Sequence, residues 1–161
     1  MNHQDVAEIA ETANEPLLLQ QARALLSGER DRIANAANLA ALIFTSVDDI
    51  NWAGFYFSQG QQLVLGPFQG QPACVRIDWG AGVCGTAAKQ GCTQRVDDVH
   101  EFDGHIACDA ASRSEMVVPL MIEGQVIGVL DIDSPRPARF DEQDQTLIEA
   151  LARVYIQSID G

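Results

Sequence analysis

Hydrophobic spacing divides the chain into helical ends around a strand-rich middle. After Pro16, which suits a first helical position, LLLQQARALLS sets Leu18, Leu19, Ala22, Leu25 and Leu26 on one helical face before Ser27-Gly28 interrupts. A second helix is expected from about Asp31, where Ile33, Ala37, Ala40, Ile43 and Phe44 recur at helical spacing. From Asp49 the period shortens. INWAGFYF and LVLGPFQG read as two strands joined by a turn at SQGQQ, and ACVRIDWG reads as a third. GAGVCGTAAKQG combines turn glycines with a short helical stretch, and TQRVDDV adds a brief strand. SEMVVPLMIEGQVIGVLDIDSP is a hairpin around Glu123-Gly124-Gln125. The last segment is a helix opened by Phe140-Asp141-Glu142, with Asp141 as N-cap and Leu147, Ile148, Leu151, Val154 and Tyr155 forming its apolar stripe.

Because hairpins predominate between the helices, this order predicts an α+β fold. A mainly antiparallel sheet should carry the terminal helices on one face and loops over the other. One domain is expected over 1–161, with helices in 1–46, sheet and loops in 47–140 and the closing helix in 141–161.

Strand alternation then asks which residues share a face. Val129, Asp131 and Asp133 point one way and Leu130 and Ile132 the other; Trp52, Gly54 and Tyr56 oppose Ala53, Phe55 and Phe57; Glu115 and Val117 oppose Met116 and Val118. If the apolar sets meet the helices, Trp52, Tyr56, Glu115, Asp131 and Asp133 line a covered pocket on the far side. Acids on a non-core face that are simply wet are the plainer alternative. As a pocket, carboxylates beside aromatic rings suit a small ligand with an ammonium group and an apolar tail.

Charge narrows the partners. The 161 residues hold 23 acidic side chains against 10 basic ones, a formal net charge of −13, with no basic run to meet phosphates. Nucleic acid and anionic membrane surfaces are therefore excluded as expected partners. No segment approaches a membrane span, and the acidic start MNHQDVAEIAETANE lacks the basic-then-apolar order of a secretory signal. A cytoplasmic location is expected, with Cys74, Cys84, Cys92 and Cys108 reduced at rest. Their spacing contains no C-x-x-C pair, so no zinc site is expected from motif.

Residues 104–109, GHIACD, frame the chemical question. Cys108 is either a small buried hydrophobe or a nucleophile. The following DAASRSE reads as a short helical turn capped by Asp109, whose charge opposes thiolate formation while the helix end favours it. His105 lies three residues from the thiol; it and His100 are more readily explained as solvated loop residues than as bases. A thiol oxidised to sulfenic acid needs a second thiol to resolve it, and three other cysteines are available.

NWAGFY (51–56), LVLGPFQG (63–70), AC (73–74), GVCGTA (82–87), GHIACDA (104–110), SE (114–115) and GVLDIDS (128–134) together resemble the free methionine-(R)-sulfoxide reductases, which are built on a GAF domain. The match runs from about residue 49 to 140. It implies a GAF-like fold, a homodimer, and reduction of free L-methionine-(R)-sulfoxide to methionine with thioredoxin as external reductant and no bound cofactor or metal. By the same resemblance Cys108 is the catalytic cysteine, Cys74 its resolving partner in a disulfide, and Cys84 a further family cysteine whose share of the work is open. Cys92 departs from the pattern. Glu115, Asp131 and Asp133 would bind the ammonium or polarise the sulfoxide, with Glu115 and Asp133 the choices for catalysis. Trp52 and Tyr56 would cage the S-methyl group, and backbone N–H groups around Ile106, Ala107 and Asp109 would assist. A GAF sensor that binds a small molecule without turning it over is the alternative; such domains usually regulate an attached output domain, which this length is not expected to include.

Overall fold

The computed structural model describes residues 15–104 and 111–160. Two helices, α1 (Leu17–Leu26) and α2 (Arg32–Ser46), precede strands β1 (Trp52–Gln59), β2 (Gln62–Gly70) and β3 (Arg76–Asp78). A helix α3 (Gly82–Gln90), a short strand β4 (Gln94–Val96) and a 3-10 turn (Val99–Glu101) follow. The hairpin β5 (Ser114–Ile122) and β6 (Gln125–Ser134) leads into α4 (Glu142–Asp160). The strands form one antiparallel sheet in the order β3-β2-β1-β6-β5-β4, so the α+β expectation holds.

β6 sits between β1 and β5 because both of its edges are paired: Trp52 is opposite Asp133 and Phe55 opposite Leu130, while Glu115 is opposite Asp133 and Val118 opposite Leu130. Alternation then sends Leu130 and Ile132, with Ala53, Phe55, Met116 and Val118, into a core shared with α1, α2 and α4. Phe55 meets Tyr155 of α4 with ring centroids 4.8 Å apart, and the Tyr155 hydroxyl donates to the Arg32 carbonyl at 3.0 Å. Burial pushes that phenol up to about 12. The opposite face is not open. Trp52, Tyr56, Leu63, Val117 and Val129 pack there against Val83, Cys84, Ala87 and Ala88 of α3, so a helix as well as loops covers it. A second covering layer explains why Trp52–Tyr56 and Gly128–Ser134 are buried without interruption.

The closing helix begins as expected, with a reciprocal cap: the Asp144 amide donates to Asp141 Oδ1 at 2.9 Å and the Asp141 amide to Asp144 Oδ2 at 2.9 Å. The bond from the Asp144 amide also holds the Asp141 carboxyl below the usual range. Asp31 caps α2 by accepting from the Ile33 and Ala34 amides. The facing of the first helices differs from the periodicity. Leu25 and Ile33 are 43% and 57% exposed and Ala37 is exposed, while α2 buries Asn35, Ala36, Leu39, Ala40 and Ile43. Asn35 can lie inward because its Nδ2 donates to the Glu29 carbonyl at 2.9 Å and to Ser158 Oγ at 3.0 Å. Alanine-rich spacing fits more than one face, and these bonds select one. Among the described residues no helix is long and apolar enough to cross a membrane.

Leu130 is fully enclosed at the centre of the larger core. Leu130→Ala is expected to cost about 2–5 kcal/mol, while Leu17→Ala, at a side chain 68% exposed, changes stability by less than about 0.5 kcal/mol. Urea unfolding of the two variants checks this contrast.

Candidate active site

The covered face of the sheet gathers the residues that alternation places together. Asp131 and Asp133 lie on β6, Glu115 stands beside Asp133 on β5, and Trp52 flanks Asp133 on β1. All three acids are buried, with exposures of 9% for Glu115, 5% for Asp131 and 8% for Asp133. Wet acids on an open sheet face are thereby ruled out. Gly54, the cross-strand neighbour of Asp131, lets the aromatic rings pack directly on the strand, since a Cβ there would fall 2.8 Å from the edge of the Trp52 ring and 2.3 Å from Phe68 Cβ. Phe68, opposite Gly54, stacks on Trp52 at 5.3 Å between centroids and 14° between planes. Tyr56 continues the row at 6.0 Å.

Cys84 enters from above. It lies in the first turn of α3, which packs so closely on the preceding turn that a Cβ on Gly85 would fall 2.4 Å from the Asp78 carbonyl. Its Sγ reaches 3.9 Å from Glu115 Oε2, and Sγ, a Glu115 oxygen and an Asp131 oxygen all lie within 4.8 Å of one another. Asp131 Oδ1 is buried without a hydrogen-bond partner. None of the ion pairs among the described residues involves Glu115 or Asp131.

Negative groups this close, out of water, cannot all ionise. Burial first, then the charge of Asp131, pushes the Glu115 carboxyl well above the carboxylate range. Burial and then Asp133 push Asp131 up in the same way. The Cys84 thiol is driven well up by burial, then by Asp131 and Glu115. A helix first turn would by itself favour a thiolate, but a full desolvation cost and the neighbouring acids act against it. Cys84 is therefore a protonated donor toward Glu115, and a poor nucleophile.

Cys74 lies at the rim. The sequence put it at the start of the third strand; the strand begins two residues later, and Cys74 packs half-buried against the Trp52–Tyr56 cluster. Two hydrogen bonds moor its segment: the Tyr56 hydroxyl donates to the Cys74 carbonyl at 2.8 Å, and Trp52 Nε1 to the Gln71 carbonyl at 3.1 Å. Tyr56 and Trp52 thus hold a loop in addition to forming an aromatic wall. Burial also raises the Tyr56 phenol far above its ordinary value, so it remains a donor. Cys74 is disulfide-bonded, whereas Cys84 and Cys92 are free thiols. Cys92 is exposed beyond the end of α3, away from the acids, and His100 is exposed on the 3-10 turn. The expectations for His105, Ile106, Ala107, Cys108 and Asp109 lie outside the described residues; of the helical turn expected over DAASRSE, Ser114 and Glu115 are instead the start of strand β5, whose ladder with β6 claims their backbone.

Two contributions escaped the sequence. Phe68 joins the aromatic wall because a register shift in the β1–β2 pairing between Gly54 and Tyr56 brings it opposite Gly54. The approach of Cys84 to the acids has no local signal, since α3 meets β5 only in the tertiary fold, with Cys84 and Glu115 separated by 31 residues of chain. The glycines flanking Cys84 were the one hint of close packing.

The raised carboxyls carry a stability signature. Their native pKa values lie above the unfolded ones, about 4, so the native state holds more protons and stability falls as pH rises from about 4 through the raised native values. Glu115→Gln and Asp131→Asn should each flatten this decline, with a higher Tm than the parent at pH 8 and no advantage near pH 4. Thermal melts across that range test it.

A GAF domain model matches residues 29–160. The free methionine-R-sulfoxide reductase of Escherichia coli is 56% identical over 132 residues, covering 81% of this chain and 80% of that protein. The fRMsr of Staphylococcus aureus, in complex with substrate, is 49% identical with a TM-score of 0.85, covering 89% of this chain and 94% of that one. The free methionine-R-sulfoxide reductase of Neisseria meningitidis, also in complex with its substrate, is 43% identical with a TM-score of 0.86, covering 89% and 86%.

Proposed function

Because the chain belongs to the GAF-domain family of free methionine-R-sulfoxide reductases, we propose that its covered acidic pocket reduces free L-methionine-(R)-sulfoxide to methionine. The observation that carries this reading is the burial of Glu115, Asp131 and Asp133 beside the Trp52–Tyr56–Phe68 wall. Free methionine sulfoxide brings an ammonium group that the acids can neutralise and an S-methyl group that rings can enclose. A methionine within a polypeptide lacks that ammonium, so the acids favour the free amino acid.

In this reading Cys108 is the nucleophile. Its sulfur attacks the sulfoxide sulfur; the S–O bond breaks as oxygen passes to Cys108, methionine leaves and a cysteine sulfenic acid remains. Attack requires the sulfoxide oxygen to be protonated or hydrogen-bonded as charge develops on it. Glu115, whose pocket favours its protonated form, is suited to that donation, and Asp133 stands beside it. The Cys74 thiol then displaces hydroxide from the sulfenic sulfur, releasing water and forming a disulfide. Support for this step is that Cys74 is disulfide-bonded while Cys84 and Cys92 are free. Cys84, held as a thiol against Glu115, acts as a proton-bearing neighbour. A dithiol protein of the thioredoxin class is the proposed reductant, the cytoplasm the proposed compartment and a homodimer the proposed assembly.

Epimer-resolved turnover of free L-methionine sulfoxide with thioredoxin recycling tests the reading. The R epimer alone should be consumed; Cys108→Ser should abolish turnover, and Cys74→Ser should retain one stoichiometric turnover. A parent protein that binds a small ligand but leaves both epimers untouched would instead be a sensor.

Tyr56 offers a separate test of the mooring. Tyr56→Phe removes the bond to the Cys74 carbonyl. Rapid quench should show methionine formation in the first turnover little changed, and disulfide formation slowed roughly 2- to 10-fold, the equivalent of one hydrogen bond of about 0.5–1.5 kcal/mol.

A further inference from the structure

Glu115, Asp131 and Cys84 converge in a way that the reduction does not require. The reaction needs an ammonium partner and a proton donor; it does not need a third buried group whose sulfur stands 3.9 Å from one of the carboxylate oxygens. One oxygen or sulfur from each residue falls within 4.8 Å of the other two. Asp131 is buried, with 5% exposure, and its Oδ1 has no hydrogen-bond partner; an oxygen of the same carboxylate belongs to this group. An acceptor left unbonded at that depth costs free energy unless a cation or donor meets it.

We propose that Cys84, Glu115 and Asp131 form a binding site for a divalent cation of the zinc class. One thiolate and two carboxylates supply three ligands of a tetrahedron, with water as the fourth. Ligand bonds of about 2.0–2.3 Å require ligand-to-ligand separations of about 3.3–3.8 Å. The triad closes to these by side-chain movements of about 1 Å, within the strands and helix that already hold it. A sulfur ligand and only two carboxylates disfavour magnesium and calcium, which take six or more oxygens. On binding, the Cys84 S–H bond breaks and a metal–sulfur bond forms; the Cys84 proton and any proton held by the Glu115 and Asp131 carboxyls pass to solvent, and no electrons are transferred. Metal and substrate ammonium draw on the same carboxylates, so each excludes the other, and zinc acts as an inhibitor. The spacing of cysteines in the sequence gave no zinc motif because two of the ligands are carboxylates on separate strands.

Binding is read without turnover, so its outcome is independent of the reductase assignment. The oxidised full chain, in which Cys74 is disulfide-bonded and Cys84 and Cys92 are free, is titrated with Zn2+ by calorimetry and with Co2+ by absorption. One equivalent of zinc and a cobalt–thiolate charge-transfer band are expected in the parent and in Cys92→Ser. Cys84→Ser should remove the band. Asp131→Asn and Glu115→Gln should each weaken zinc binding by more than the roughly 10- to 100-fold attached to loss of an outer-shell partner, with circular dichroism unchanged. Absence of binding in the parent overturns the proposal, as does binding that is lost in Cys92→Ser. Should Cys84→Ser fail to fold, unchanged affinity in both carboxylate variants overturns it equally.

Discussion

The burial of Glu115 and Asp131 beside one another, with Asp133 adjacent and, among the described residues, no basic side chain in ion-pair contact with the first two, governs the chemistry of this protein. An ionised carboxylate removed from water costs several kcal/mol unless it is compensated. Protons can supply that compensation, and so can a cation entering the pocket. The pocket is thus held ready to accept positive charge, and it disfavours ionisation of its carboxyls. Both properties suit a reaction in which an amino-acid ammonium is bound and a sulfoxide oxygen must be protonated.

Such a cluster can persist only on a scaffold whose stability comes from elsewhere. β6 achieves the separation through alternation: Leu130 and Ile132 belong to the large apolar core with α1, α2 and α4, while Asp131 and Asp133 face the site. The apolar face holds the strand rigidly, and the acids inherit that rigidity because they are carried by the same backbone. Positions on a central strand fix functional side chains more closely than loop positions would. Gly54 and Gly85 then permit two close approaches, of the Trp52 ring over β1 and of α3 onto the turn before it.

The cysteines show how environment divides one residue type into several roles. Cys84 is sealed among acids and stays a thiol; Cys74, at the rim and moored through Tyr56, is oxidised; Cys92 is exposed and remote. A thiolate is the attacking species in disulfide chemistry, and a sulfur surrounded by buried carboxyls is kept from that state. These surroundings keep Cys84 a neutral thiol.

Local pattern was enough for much of this architecture. Strand alternation placed Trp52, Tyr56, Glu115, Asp131 and Asp133 on one face, and turn and cap residues marked the β1–β2 and β5–β6 hairpins and the Asp141 start of α4, because these features depend on neighbours within a few residues. Whether that face was wet or covered depended on α3, and which side of the alanine-rich α2 turned inward depended on the partners of Asn35 across the core. Phe68 joined the wall through a shift in strand register, and Cys84 met Glu115 across 31 residues of chain. Periodicity in the sequence determined direction relative to the chain's own axis. Burial, raised acidity constants and the meeting of thiol with carboxylates arose only when separate elements packed, since each depends on the exclusion of water by residues distant in sequence.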